Sequence, residues 1–378
     1  MSGLLFQRQT IEQRLTATSG VTSGWNYLRI SLAATVVFFH SLLTCYGVYG
    51  TDYVWHSYYR SPLAFVLPAF FALGGFLVSE SLGRVKSMTE FVVHRVARIM
   101  PALIVEVLLS AIVLGPLQTI LPVGLYFSRP AFWTYFFNIV GWVHFYLPGV
   151  FWDNPLPGIV NGSLWTIPYE YVGYCTLPIV VLLGIARRRF LFLSLVLIAN
   201  AAMGGYYAAT YVDTHAEHLP GIMMILSFYA GICMRQWKDQ IVLSKEWLAG
   251  SVVLSVVLLS FPQTEYFAVF PIAYATTFLG LTSPRKIWIV SSGDYSYGLY
   301  LFAFPVQQTY AALFPDFRVW WANVIFTLVF GMLCAGFSWH CVEKQVQKRR
   351  SRIVAAIENG LRLSGLKPKI ATVAAAGN

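Results

Sequence analysis

Charged residues are scarce in this sequence. Only 11% of its 378 residues are Asp, Glu, Lys or Arg, whereas about a quarter is usual in soluble domains. Hydrophobic residues make up 57% of the chain and are gathered in long runs. A water-soluble core does not need so much apolar sequence. The composition therefore excludes an ordinary soluble enzyme and predicts a protein whose solvent is the lipid bilayer.

Several other signatures are missing. The five cysteines show no CxxC or other metal-ligand spacing, so we expect neither a metal site nor a disulfide framework. We find no glycine-rich phosphate loop, internal repeat or soluble domain. The net charge of +10 does not indicate nucleic-acid binding, because the basic residues lie in short loops between apolar runs. That arrangement is typical of topology signals and of contact with anionic lipid headgroups.

What the sequence does contain is a series of apolar runs, each long enough to cross a membrane. These runs predict an all-α, polytopic membrane bundle of about ten transmembrane helices. The ten runs are residues 27–47, 62–82, 99–121, 164–184, 190–211, 219–235, 245–261, 265–281, 291–312 and 319–340.

The distribution of basic residues supports this number of spans. If the N-terminus is cytoplasmic, every predicted inner loop is basic, while the outer loops contain only Arg60, Arg129 and Arg318. Inner loops of membrane proteins carry such an excess of Lys and Arg. Both termini are therefore predicted to be cytoplasmic. The predicted division is a cytoplasmic N-terminal segment, a membrane domain and a basic, disordered tail, at residues 1–26, 27–345 and 346–378.

The longest predicted outer loop, residues 122–163, is rich in aromatic residues. Two interpretations fit this composition. The aromatic side chains can form a belt at the membrane interface, or they can form a platform for a sugar or lipid-linked substrate. The sequence leaves both open.

Ionisable residues inside membrane spans are rare and mark functional sites. The stretch "RISLAATVVFFH" begins with Arg29 and ends with His40, three helical turns apart on one face, or about 16 Å along the axis. A histidine with a pKa near neutrality can act as a general base. The alternative is a structural histidine that bonds a neighbouring helix.

The stretch "NGSLWTIPYE" places Glu170 about two turns inside the fourth predicted span, entered from the outside. This is the depth that we expect for His40, so the two side chains are predicted to meet, with Thr166 supporting the carboxylate. An unpaired carboxylate at that depth would be costly. The alternative is a packing glutamate that is paired with some other polar neighbour.

The stretch "HRVARIMP" places Arg95 and Arg98 one turn apart at the predicted cytoplasmic mouth of the third span. Two arginines that share a helix face can hold a phosphate. The alternative is that they only signal topology. Glu106, deeper in the same span, is a possible structural partner of one of these arginines.

Together these stretches resemble the acyltransferase family 3 of integral membrane proteins, over about residues 25 to 348. The departures are Asn26 where the family often has aspartate, "GGF" at 74–76 for "SGF", and Ala303 near a common histidine. Because the histidine is missing near Ala303, no role is carried over from the family to the ninth span. The similar segments are "NYLRISLAATVVFFH", "FFALGGFLVSESL", "HRVARIMP", "SLWTIPYE", "SYGLYLFAFPVQQ" and "SWHCVEKQV".

The family O-acylates bacterial surface glycans. The resemblance therefore implies a multi-pass inner-membrane O-acyltransferase that moves an acyl group, with acetyl expected, from acetyl-CoA to a glycan hydroxyl, as in O-antigen (lipopolysaccharide) or exopolysaccharide biosynthesis. By the same resemblance His40 matches the family's essential histidine, Glu170 its glutamate, Arg95 and Arg98 its arginine pair, and Arg29 the arginine of its first motif. From their predicted positions we expect His40 and Glu170 to be catalytic and the three arginines to bind the donor. The implied partners are acyl-CoA, a lipid-linked or surface glycan and membrane lipids, without metal or nucleic acid.

A transporter is the competing class. A buried histidine and glutamate also fit a proton-coupled carrier or a flippase of a lipid-linked glycan. The absence of an inverted repeat counts against a carrier, and the arginine pair favours a phosphate-bearing cofactor. Product formation from a thioester by the purified protein would separate the two.

Overall fold

The computed structural model describes residues 8–82, 84–211 and 219–363, which fold almost entirely into helices. The two strands found there, Gln9–Thr10 (β1) and Val242–Leu243 (β2), have two residues each and pair antiparallel. The prediction of an all-α fold is confirmed.

The described part of the chain contains seventeen α-helices, with shorter 3₁₀ and π-helical segments between some of them. In chain order they are α1 Ile11–Ala17, α2 Gly24–Tyr46, α3 Val48–Trp55, α4 Arg60–Leu82, α5 Met88–Leu108, α6 Gly115–Gln118, α7 Val123–Ser128, α8 Pro130–Thr134, α9 Ile167–Leu182, α10 Arg189–Thr210, α11 Gly221–Gln236, α12 Lys245–Leu259, α13 Val269–Gly280, α14 Trp288–Ser292, α15 Ser296–Leu313, α16 Trp320–Phe337 and α17 Lys344–Leu363. Single 3₁₀ segments are Tyr135–Val140, Gly162–Thr166, Ile185–Arg187, Pro262–Ala268 and Pro315–Phe317, and π-helical turns are Leu109–Leu114 and Ser338–Glu343.

Each of the ten predicted apolar runs overlaps a helix of this series. By length and composition, five helical stretches of the described chain can cross a membrane, and α11 is a shorter apolar helix. The membrane interpretation is thereby supported, while ten crossings and the sides of the termini stay predictions. The five stretches are Gly24–Tyr46, Arg60–Leu82, Met88–Gln118, Arg189–Thr210 and Trp320–Leu361.

Helices α4 and α11 approach each other unusually closely, and two glycines make this possible. A Cβ atom on Gly75 would lie 1.8 Å from the carbonyl oxygen of Phe228, and one on Gly231 would lie 2.0 Å from that of Ala72. Without a hydrophobic effect between helices in lipid, close backbone contact at small residues is a main source of helix association. This pair therefore forms a fixed centre for the bundle.

One end of the bundle, here called the basic end, collects the segments 8–23, 84–87, 237–244, 281–295 and 344–363. Strand β1 pairs with β2 there. Arg14 Nε donates to the carbonyl of Leu281 over 2.9 Å, and Lys238 Nζ lies 2.7 Å from Glu12 Oε1. The predicted inner loops are thus gathered together.

The opposite end, here called the loop end, collects the segments 47–59, 119–160, 260–266 and 314–319. Arg318 Nη2 donates to the carbonyl of Asp153 over 3.1 Å. Arg60, predicted to lie in an outer loop, is the first residue of α4 and is buried. Its Nη2 bonds Glu265 Oε2 over 2.6 Å, and its guanidinium lies over the Trp55 ring.

The basic tail differs from the prediction. Residues 346–378 were expected to be disordered, but α17 is helical to Leu363; residues 364–378 lie outside the described part of the chain. Helix α17 continues α16 through the π-helical turn, so it needs no new helix nucleus. It packs along α5, where Ser87 Oγ donates to Glu358 Oε1 over 2.5 Å.

The close contact of α4 with α11 can be tested by replacing a glycine at the contact with alanine, which adds one methyl group. We expect Gly231→Ala to lower stability by about 1–3 kcal/mol, because its Cβ meets backbone that cannot move aside easily. Denaturation in mixed micelles, followed by tryptophan fluorescence, measures the change. Gly250→Ala on α12 is the matched control, since nothing lies within 4 Å of its Cβ. Equal behaviour of both variants would contradict the close-packing argument.

Candidate functional site

The chain before α9 turns back into the bundle. Asn161 Nδ2 donates to the carbonyl of Leu301 over 2.9 Å and to Glu106 Oε1 over 2.8 Å. Leu301 lies five residues after the start of α15, which is only about 7.5 Å along that helix from the basic end. The short 3₁₀ segment Gly162–Thr166 and helix α9 therefore begin deep inside the protein.

Irregular backbone at this depth needs internal hydrogen-bond partners. Gln308, which is fully buried on α15, supplies several of them. Its Nε2 donates to the carbonyls of Leu156 and Ile159 over 2.8 and 2.7 Å, and its Oε1 accepts from Asn154 Nδ2 over 2.8 Å. The re-entrant chain is thus held by side chains of α15 as well as by a backbone bridge between Tyr146 and Ile159.

The sequence suggested that Glu106 could pair with an arginine, but in the described part of the chain it does not. Its side chain is fully buried, and its Oε1 accepts hydrogen bonds from Ser110 Oγ and Asn161 Nδ2, each over 2.8 Å. The role of this carboxylate is to hold the re-entrant chain against α5. A partner 55 residues away in an irregular segment cannot be found from helix spacing.

Glu170 lies in the first turn of α9, nine residues beyond Asn161. Its Oε1 accepts a hydrogen bond from Tyr174 Oη over 2.9 Å. It lines a cavity of about 170 Å³, here called the arginine cavity, together with all three arginines that sequence reasoning singled out. Polar residues lining this cavity are Arg29, Arg95, Arg98, Thr166, Glu170, Tyr174, Ser296, Tyr297 and Tyr300.

Asp294 joins two of these arginines. Its Oδ2 accepts from Arg29 Nη1 and from Arg98 Nη2, each over 2.8 Å, and its Oδ1 accepts from Ser296 Oγ over 2.8 Å. Sequence reasoning missed this residue. The signal was present, since Asp294 in "SSGDYSYGLYL" is a lone carboxylate at the start of an apolar run, the same criterion that identified Glu170.

Arg95 is held differently from Arg98. Its Nη2 donates to Ser81 Oγ over 3.2 Å, and its guanidinium lies over the rings of Phe91 and Tyr174 at 5.8 and 6.0 Å. Within the described ranges Arg95 forms no ion pair with a carboxylate. Besides Asp294 and Glu170, the buried carboxylate of Glu343 interacts electrostatically with Arg98. Because Arg95 forms no ion pair in those ranges, it is the guanidinium best able to attract an added anion.

His40 lies in another cavity, of about 610 Å³, here called the histidine cavity. Its ring packs edge-on against Phe304 with 5.1 Å between ring centroids. The Nδ1 atom is buried, and neither ring nitrogen has a hydrogen-bond partner among the residues described. Aromatic residues supply much of the wall, namely Phe39, Trp55, Phe145, Trp165, Tyr169 and Phe304.

The predicted pairing of His40 with Glu170 is wrong. No hydrogen bond or ion pair joins them, and they line different cavities. The depth of Glu170 was counted from the outer edge of the membrane, whereas α9 begins inside the bundle. Thr166 likewise bonds Tyr300 Oη over 2.8 Å instead of the carboxylate. Leu67 of α4 lines both cavities and lies between them.

The aromatic loop that was predicted to lie outside contains both exposed and buried aromatic side chains. Trp133, Trp142 and Trp152 are more than half exposed, as an interfacial belt requires. Tyr135 is fully buried and packs within the protein, and Phe145 lines the histidine cavity.

Comparison with known proteins gives concordant results. Residues 22–341 match a family model described as an acyltransferase domain. An O-acetyl transferase of Shigella phage Sf6 is 26% identical over 303 residues, covering 75% of this chain and 84% of that protein. Nodulation protein 10 of Rhizobium leguminosarum bv. viciae is 24% identical over 370 residues, covering 89% of this chain and 96% of that protein. No solved structure matches.

Removing the central carboxylate should destabilise the arginine cavity. We expect Asp294→Ala to lower stability by about 2–3 kcal/mol, because it leaves two partly buried guanidinium groups without their acceptor. Asp239→Ala is the matched control, since the Arg189–Asp239 pair is 38% and 40% exposed and such pairs contribute about 0.5 kcal/mol. Denaturation in mixed micelles measures both, and an Asp294 variant as stable as the control would contradict the argument.

Proposed function

The chain belongs to the acyltransferase family defined by this domain, and on that premise we propose that it is a membrane O-acetyltransferase. The proposed reaction moves an acetyl group from acetyl-CoA to a hydroxyl of a bacterial surface glycan. The observation that carries the proposal is the order of the two cavities. The arginine cavity lies toward the basic end, the histidine cavity lies toward the loop end, and Leu67 lines both of them.

The donor would enter from the basic end, which we assign to the cytoplasm because acyl-CoA is made there. In the described part of the chain Arg95 forms no ion pair, so it is the best candidate to bind the donor's diphosphate, with Arg98 and Arg29 beside it. The pantetheine arm carries amide N–H groups that need acceptors once they leave water. Glu170, which faces the same cavity, can accept from them.

His40 would act as the general base. Its buried Nδ1 atom has no hydrogen-bond partner among the described residues, so the ring can take the proton of the acceptor hydroxyl. As that oxygen attacks the thioester carbonyl, the new C–O bond forms and the C–S bond breaks. The imidazolium then returns the proton to the departing thiolate. Packing against Phe304, rather than a carboxylate, orients the ring.

The acceptor would occupy the histidine cavity. Its volume of about 610 Å³ is ample for a sugar ring, since small-molecule sites commonly span about 300–1,000 Å³. Aromatic faces such as those of Trp165 and Tyr169 suit the apolar faces of sugars. Loop-end residues, among them Phe145 and Ile159, form the opposite wall. This placement supports an acceptor that arrives from the outer face of the inner membrane.

Leu67 must move before the thioester can reach His40. The next residue, Pro68, lies inside α4 and lacks the N–H group that would complete the helix there. Proline in a helix interior removes a backbone hydrogen bond and favours bending at that point. We therefore assign the opening between the cavities to this part of α4.

The first test measures the O-acetyl content of the surface glycan by NMR in cells that carry wild type or variants at matched membrane levels. His40→Ala should lower the acetyl signal about 100-fold or more, as expected for loss of a general base. His56→Ala, an exposed histidine of the loop end, should keep it. If wild type matches a strain that lacks the protein, acetylation is not its function, and the proton-coupled carrier or flippase becomes the leading alternative.

The second test measures donor binding alone. Arg95→Gln should raise the Kd for CoA about 10-fold to 100-fold, because it removes the charge-assisted hydrogen bonds from one guanidinium to the diphosphate. Titration calorimetry in nanodiscs measures this without the acceptor. Arg84→Gln is the control, because Arg84 is 70% exposed and pairs with Glu80 on the helix surface. Unchanged affinity in Arg95→Gln would remove Arg95 from the donor site.

A further inference from the structure

A third cavity, of about 280 Å³, lies at the basic end. It is here called the basic-end cavity and is lined in part by Ser292, Gly293, Trp339 and Lys344. Asp294, the carboxylate that holds Arg29 and Arg98, also lines it. None of the roles assigned above uses this cavity.

The three cavities form a series. Ser296 lines both the basic-end cavity and the arginine cavity, and Leu67 lines both the arginine cavity and the histidine cavity. The ion cluster of Asp294 with two arginines stands at the first junction. Once Leu67 moves aside, a long ligand could therefore run from the basic end to His40 through three adjacent compartments.

Two polar groups that line the basic-end cavity, the Lys344 ammonium and the Trp339 indole N–H, have no partner among the described residues. Lys344 is half-buried at the start of α17 and forms no ion pair within the described ranges. The Nε1 atom of Trp339 is buried and has no acceptor in the same part of the chain. Gly293 brings its backbone against this indole, since a Cβ there would lie 2.6 Å from Nε1. A cation and an indole face in one cavity are suited to a phosphorylated, aromatic ligand.

We propose that the basic-end cavity binds the 3′-phosphoadenosine part of the acyl donor, an assignment that rests on the proposed function. Lys344 pairs with the 3′-phosphate and Trp339 packs against adenine. The diphosphate then meets the arginines at the junction, and the pantetheine arm continues toward Leu67. The order of chemical groups along the donor thus matches the order of the compartments.

The test compares two donors that differ only in the 3′-phosphate, acetyl-CoA and acetyl-3′-dephospho-CoA. Purified protein is placed in phosphatidylcholine nanodiscs, so the donor carries the sole phosphomonoester. Wild type should show a KM about 10-fold lower for acetyl-CoA. Lys344→Ala should raise that KM about 10-fold and leave the KM for the dephospho donor and both kcat values unchanged.

Lys348→Ala is the matched control, because Lys348 is exposed one turn further along α17 and does not line the cavity. Its KM values should equal those of wild type. The assignment is wrong if wild type does not distinguish the donors, or if Lys344→Ala shifts both KM values equally. It is also wrong if the effect of Lys344→Ala appears only with phosphatidylglycerol present, since the lysine then binds a lipid headgroup.

Calorimetry with CoA and 3′-dephospho-CoA keeps this inference separate from the reaction itself. If wild type transfers acetyl from neither donor, the proposed function fails. The binding site still stands if Lys344→Ala selectively removes the roughly 10-fold preference for CoA in Kd. Equal binding of the two nucleotides by wild type would overturn the site, whatever the activity.

Discussion

Asn161 fixes the position on which the rest of the site depends. By bonding the Leu301 carbonyl and the Glu106 carboxylate, it keeps an unwound stretch of chain inside the bundle. Everything that follows it in sequence is placed by that anchor. Gly162 and Trp165 come to line the histidine cavity, and Glu170 comes to face the arginines. A fully buried amide has few alternatives once its partners are set, because leaving it unpaired would be costly.

Electrostatic balance explains why the arginine cavity can exist in an apolar bundle. Asp294 neutralises part of the charge of Arg29 and Arg98 at close range, while aromatic rings and Ser81 hold Arg95. Removal of charges from water is tolerated when each has a partner in good geometry. Arg95, which forms no ion pair in the described ranges, could still pair with a bound anion.

Much of the fold could be predicted from the sequence, because apolar runs and basic loops report directly on helices and on the end to which each loop belongs. His40 and the arginines could also be found, since a charged residue in an apolar run stands out. The depth of Glu170 could not, because hydropathy does not reveal that the chain re-enters the bundle before α9. The partners of Glu106 and the role of Asp294 arise from contacts between distant segments, which spacing on one helix does not encode.

The position of Leu67 between the arginine cavity and the histidine cavity has a consequence for the ion gradient across the membrane. An enzyme with water-accessible cavities toward both faces of a membrane risks becoming a path for protons and other ions. The side chain of Leu67 has no group that can pass on a proton, and an ion would lose its hydration beside it. With Leu67 in place, the protein would not carry ions across the membrane while no substrate is bound. The same arrangement requires Leu67 to move aside in every turnover.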